Sequence, residues 1–396
     1  MTQSESGRLR WLVLAVFMLS SAINYLDRQT LATLAPLLRT DFHLSNEQYG
    51  WILAAFSLTY AASAPMAGLL IDRIGLNRAV SLVVGVWSCA GIATGLTSGL
   101  GSLVGCRAVL GAAEAGGIPG AGKAIYQYLR PGERALGNAA NQAGVSLGLI
   151  LAPPFATWIA LLYGWRAAFA VTGTLGLLWI PLWNWTSRLS PQRPPEPLTR
   201  ASAAIFRQPR LWAFVAANAL AMVGYSLWTN WTVTYLVDVH HLSQRAAASY
   251  AWIPPVFAML GGPAGGWLSL RLMNRGVPSL RARFRVCLLA AGLALATILV
   301  SAAPSAGWAS AAISLSIFAV SAFSVNMYTL PLDAFGGPRA AFAISMLVAS
   351  YGAVQAIISP AFGRVIDLHG YAPVVAFTAF TPLAACAVLW GSKAVR

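Results

Sequence analysis

The chain has 396 residues, of which 58% are apolar and only 9% charged, and its mean hydropathy is +0.66. A soluble domain carries about 25% charged residues, so this composition excludes water as the chain's main solvent. The net charge of +15 would suit a nucleic-acid partner, but the placement of the basic residues excludes that too.

Apolar stretches recur from end to end, each long enough at about 1.5 Å per residue to cross a hydrocarbon layer of about 30 Å. They predict twelve membrane-spanning helices over 11–36, 49–71, 79–97, 101–125, 135–162, 167–186, 211–237, 246–270, 286–303, 307–332, 340–366 and 371–389. With both termini placed in the cytoplasm, 20 of the 26 Lys and Arg fall on the inner side, four on the outer side, and Arg28 and Arg107 inside spans. That asymmetry is the positive-inside pattern, and it predicts a multi-pass protein of the bacterial inner membrane with both ends inside.

The first span carries Tyr25, Asp27 and Arg28, and the second carries Tyr60. After the second span, Gly68, Asp72, Arg73, Gly75 and Arg78 form a glycine-rich helix end running into a short basic turn. The fourth span carries Arg107 and Glu114, and the fifth Gln142. Between the sixth and seventh spans the chain turns polar, with Pro191, Pro194, Pro195 and Pro197 among several arginines, as expected of a cytoplasmic linker against anionic headgroups. It divides the chain into a six-helix bundle over 1–187, a linker over 188–210 and a second six-helix bundle over 211–396, the anatomy of a transporter with a central cavity.

The second half offers Trp228, Asn230 and Trp231 in the seventh span, an aromatic and amide cluster suited to flanking a polyol, although interfacial belts have the same composition. Gly266 to Gly276 repeats the basic turn with Leu270 in the place of Asp72, so a charge clasp at that turn is expected to be lopsided. Asn326, Ser350 and Gln355 are small polar residues of the last spans, suited either to the cavity or to helix packing. Cys89, Cys106, Cys287 and Cys386 lie in apolar spans without paired spacing, and His240 and His241 lie in an outer loop, so no metal site, disulfide framework or cofactor is expected.

Three stretches carry a family resemblance: Asn24-Tyr25-Leu26-Asp27-Arg28, the Gly68 to Arg78 turn, and Arg107 to Pro119 with Gly111 and Glu114, running toward Glu133-Arg134. In these the chain resembles the major facilitator superfamily, and within it the anion:cation symporters of sugar acids and other organic anions. The resemblance implies two six-helix bundles related by a pseudo-twofold axis, alternating access, proton coupling and a monomer. It also implies that the Asp and Glu of the two motifs hold protons, that the Arg beside the Asp binds the anion, and that the positions of Tyr25 and Tyr60 line the cavity.

The residues read on their own point the same way. A charge at the centre of a membrane helix costs about 2.5–3.5 kcal/mol or more, so Asp27, Arg28, Arg107 and Glu114 each need a partner or a cavity. Arg28 offers a fork matched to a carboxylate. Burial and a neighbouring guanidinium act in opposite senses on a carboxyl's affinity for a proton, so movement of Arg107 relative to Glu114 is one way to gate release from Asp27 and Glu114. The same four charges would also serve as a fixed ion-pair network inside the first bundle. Tyr25, Tyr60 and Gln142 can meet substrate hydroxyls or, equally, neighbouring helices.

No phosphate-cradling loop or ligand cluster supports an enzyme or an ATP-driven pump. Two other readings remain. A proton-antiporting exporter of drugs or metabolites fits poorly, since its glycine-proline signature is only loosely echoed by Gly144 to Pro154. A transport-like sensor would need a cytoplasmic docking region longer than the linker.

Overall fold

The computed structural model describes residues 3–130, 133–189, 203–335 and 337–395, so most of the proline-rich linker, Pro131-Gly132 and Arg396 lie outside the described residues. Among those described there are helices and no strands. In a membrane this is the expected solution, because a helix satisfies its own backbone polar groups where no water is available.

In the first half the helices are α1 (Gln3–Asp41), α2 (Asn46–Ile74), α3 (Leu76–Thr94), α4 (Leu100–Glu114), α5 (Gly117–Tyr128), α6 (Arg134–Tyr163) and α7 (Trp165–Thr186). In the second half they are α8 (Pro209–Ala221), α9 (Val223–His240), α10 (Gln244–Ala251), α11 (Ile253–Asn274), α12 (Ser279–Ala294), α13 (Ala306–Phe335), α14 (Gly337–His369) and α15 (Tyr371–Gly391). Nine described segments are long and apolar enough to cross a membrane, with α8 and α9 counted together, and α2 makes a tenth if Asn46–Ala64 and Met66–Ile74 form one span.

The remaining two expected spans are broken. The fourth divides into α4 and α5 around Ala115 and Gly116, where Gly116-Gly117 and Pro119 weaken the helix and remove an N–H donor. The eighth divides into α10 and α11 at Trp252, where Pro254 and Pro255 open the second helix. Large apolar side chains are exposed around the helices, among them Leu58, Trp158, Leu178, Leu289 and Phe377, as lipid-facing surfaces require.

The chain forms two compact units, Met1–Leu44 with Trp51–Pro197, and Ser45–Gly50 with Leu198–Arg396. In the first, α1 packs against α6 and α7, and α3 against α7 and α4. The α1–α6 approach depends on Gly148, whose Cβ position would clash with the Ala22 carbonyl and lie 3.0 Å from the Leu26 nitrogen. Small residues at such crossings let membrane helices gain close van der Waals contact. Trp179 and Trp183 stack at 5.4 Å, with Phe17 edge-on, and the Trp179 indole donates to the Val16 carbonyl at 2.6 Å. This pins α7 to α1.

The second unit is built around α13, which α11, α12, α8 and α9 contact, with Phe214, Phe323, Met327 and Leu330 in its core. Its extra segment, Ser45–Gly50, is held where Asp367 accepts from the Asn46 N–H at 3.0 Å, the Asn46 amide at 2.8 Å and the Glu47 N–H at 2.9 Å.

Candidate functional site

The four charges expected inside the membrane come from α1 and α4 of the first unit. Arg28 donates from Nε at 2.9 Å and from Nη2 at 2.7 Å to a single oxygen, Oε2 of Glu114. Three rings surround its guanidinium, Tyr25 and Phe56 at 4.8 Å and Tyr60 at 5.0 Å. Phe56 and Tyr60 lie one turn apart on α2 and stack on each other at 5.8 Å. The Arg28 side chain keeps 22% of its surface exposed, whereas that of Glu114 keeps none. Arg28 is therefore the more accessible member of the pair.

Asp27, adjacent in sequence, points elsewhere. Only 2% exposed, it accepts from the Thr172 hydroxyl of α7 at 2.8 Å. Arg107 is equally buried, with its guanidinium 5.9 Å from the Phe169 ring. The hydrogen bonds to Glu114 themselves come from Arg28. The seven-residue spacing puts Arg107 and Glu114 on one face of α4 about 10 Å apart along its axis, while the hydrogen-bonding guanidinium comes from α1.

α2 crosses α4 at Gly111, whose Cβ position would run into the Phe56 carbonyl. The close crossing brings Phe56 and Tyr60 within reach of Arg28, so Gly111 shapes the ring cage through the Phe56 backbone.

The other candidates divide. Gln142 is exposed on α6, and it is its neighbour Asn141 that accepts from Ser21 of α1 at 2.7 Å. Trp228 and Trp231 are buried, edge-on to Tyr235 at 5.8 Å and Tyr49 at 5.0 Å, while the Asn230 amide donates to the Ser226 carbonyl at 2.8 Å. Asn326 donates to the carbonyls of Gly265 and Ala322, which ties α13 to α11. Ser350 accepts from Asn218 at 3.1 Å, and Gln355 is buried on α14. Of these only Gln142 belongs to the unit that holds the charge cluster; the others belong to the second unit.

At the end of α2, Asp72 pairs with Lys123 of α5 at 2.5 Å, and Gly75, with φ 83°, starts α3. Gly68 has open space around it, and Arg73 and Arg78 are exposed. In the second unit Leu270 is exposed, and the ion pair is instead Arg283 of α12 with Asp333 of α13 at 2.6 Å. Each unit thus carries an ion pair between neighbouring helices.

Sequence reasoning missed Phe56, Thr172 and Lys123. Phe56 had a signal, its four-residue spacing from Tyr60. Thr172 is a lone hydroxyl in an apolar span and had none, and Lys123 was read only as an inner-side charge.

A family model described as Major Facilitator Superfamily matches residues 17–346. The hexuronate transporter of Escherichia coli (strain K12) is 27% identical, with 96% of this chain and 93% of that protein covered. The galacturonate transporter of Dickeya chrysanthemi is 28% identical over 66% of this chain and 82% of its own length. A probable sulfoacetate transporter of Cupriavidus necator is 28% identical over 92% and 89%. Among solved structures, a bacterial homologue of the human lysosomal transporter Spinster superposes with a TM-score of 0.73 at 22% identity, covering 98% of this chain and 96% of that one. The helical architecture is thus shared with solved relatives, and the family match spans the charge cluster as well as the paired turn. The chain belongs to the major facilitator superfamily and is a multi-pass membrane transporter, not an enzyme.

Proposed function

We propose that this transporter is a proton-coupled symporter of an organic anion, a sugar acid such as a hexuronate or aldonate or another small carboxylate, working by alternating access. The observation that carries the reading is the pairing of a partly exposed, ring-caged Arg28 with a fully buried Glu114. Three of the relatives described above are named for transport of organic acids, which supports the substrate class.

The chemistry is a competition for one guanidinium. While Glu114 is a carboxylate it occupies Arg28 with charge-assisted hydrogen bonds, which are about twice as strong as neutral ones. A proton on Glu114 removes the charge and weakens the hold. Arg28 then presents its fork to a substrate carboxylate, and the rings of Tyr25, Phe56 and Tyr60 keep the cation oriented. Asp27 is the second proton site, held against Thr172 of α7. A fixed ion-pair network does not account for leaving one partner of a buried pair open.

The test is uptake of labelled sugar acids and small carboxylates into proteoliposomes, with and without an inward proton gradient, beside the variant Arg28→Ala. Gradient-stimulated uptake of an acid is expected, abolished in the variant while membrane insertion stays normal. Failure of every acid to enter would overturn the reading.

A further inference from the structure

Asp27 has two carboxylate oxygens in unlike settings. Oδ1 accepts from Thr172, while Oδ2 has no hydrogen-bond partner among the described residues. The Thr172 hydroxyl in turn has two acceptors for its single proton, Asp27 Oδ1 at 2.8 Å and the Phe169 carbonyl, three residues earlier on α7, at 3.2 Å. From the other side α3 presents Gly91. A Cβ there would lie 3.2 Å from both Asp27 oxygens, so the carboxyl group occupies the space a side chain would take. The charged groups acting on Asp27 are Arg107 and Arg28, and Asp27 acts in turn on Glu114; the contacts from α3 and α7 are uncharged.

We infer that Thr172 is the positioning residue of a two-state hydrogen-bond switch, which, with Gly91 as its opposite wall, holds Asp27 with or without a proton. In the ionised state the Thr172 hydroxyl donates to Oδ1. When a proton arrives from the water phase on that oxygen, the new O–H donates to Thr172 Oγ, and the threonine proton rotates to the Phe169 carbonyl. One proton is added, no bond but the new O–H is formed, and every hydrogen bond lost is replaced. A buried carboxyl without such a neighbour would leave a donor or an acceptor unpaired in one of its two states, which is costly in a dry interior. The back-bond from a threonine to its own helix is an ordinary resting position for that side chain. Gly91 matters because the switch needs the carboxyl pressed against α7.

The inference rests on reading Asp27 as a proton site, and its test needs no substrate. The full chain in lipid nanodiscs is titrated by infrared difference spectroscopy, following the protonated-carboxyl band that Asp27→Asn removes. Thr172→Val keeps the shape and removes the hydroxyl. It is expected to move the midpoint of that band to higher pH by about one unit, because the ionised form loses a charge-assisted donor, a stronger bond than the acid form loses. It should also raise the C=O stretching frequency. Thr172→Ser should behave as the parent, and Gly91→Ala should shift the midpoint without adding to the effect of Thr172→Val. A Thr172→Val titration that overlays the parent, a serine variant indistinguishable from the valine one, or no Asp27-dependent band at all would overturn the switch. A switch that behaves as described in a protein that takes up no acid would instead sink the symport reading alone.

Discussion

Arg28 makes its hydrogen bonds to one oxygen of Glu114, and Glu114 Oε1 is buried with no hydrogen-bond partner among the described residues. The pair is thus held by half of its carboxylate, a poorer fit than a bidentate fork on two oxygens. A substrate carboxylate that engages the guanidinium fully has a geometric advantage once Glu114 is neutral. This gives a sign for pH. Raising pH ionises Glu114, which competes for Arg28, so anion binding to the parent should weaken as pH rises. In Glu114→Gln that competitor is absent at every pH. The variant is expected to bind the transported acid about tenfold more tightly at neutral pH, equivalent to about 1.4 kcal/mol, and with a weaker pH dependence than the parent. It should still exchange substrate across the membrane but, with one coupled proton fewer per cycle, accumulate less of it from a proton gradient than the parent does. Calorimetric titration at several pH values beside counterflow assays checks both halves, and a variant whose binding keeps the parent's pH dependence would remove Glu114 from the competition.

At the scale of helices, the sequence shows some things through cost and conceals others through geometry. Asp27, Arg28, Arg107 and Glu114 stood out because charges in apolar spans are expensive, and hydropathy marked out the spans themselves. Pairing was hidden, since the two-turn spacing on α4 speaks only of one helix, whereas the partner of Glu114 comes from α1. The breaks in the fourth and eighth spans had local signals in Gly116-Gly117 and Pro254-Pro255, but mean hydropathy ran across them. Lys123 shows the same limit: it lies 51 residues from Asp72, and only the fold joins them. Their side chains are 29% and 22% exposed, so this pair contributes about 1 kcal/mol or less to stability. A role in the transport cycle therefore has a distinct signature. Asp72→Asn should barely change the melting temperature yet slow uptake several-fold, and the exchange Asp72→Lys with Lys123→Asp should recover most of the rate. A rate that tracks the melting temperature across these variants would make the pair merely structural.

For the whole molecule the decisive quantity is the charge carried through one cycle. The four buried groups sum to zero when all are ionised, so the empty transporter reorients with a balanced interior. A monovalent acid bound to Arg28 adds one negative charge, which a proton on Glu114 offsets. A proton on Asp27 has no such counterpart, and the fully loaded site then carries one net positive charge. Each cycle is expected to move positive charge inward with the substrate. An inside-negative potential, set by a potassium gradient with valinomycin at equal pH on both sides, should accelerate uptake of a monovalent acid in the parent. In Asp27→Asn the uncompensated proton is lost, and the remaining uptake should be indifferent to potential while still requiring Glu114. Uptake in the parent that ignores potential would confine coupling to Glu114 and leave Asp27 a fixed partner of the bundle, whereas potential dependence that persists in Asp27→Asn would place the second proton on a different group.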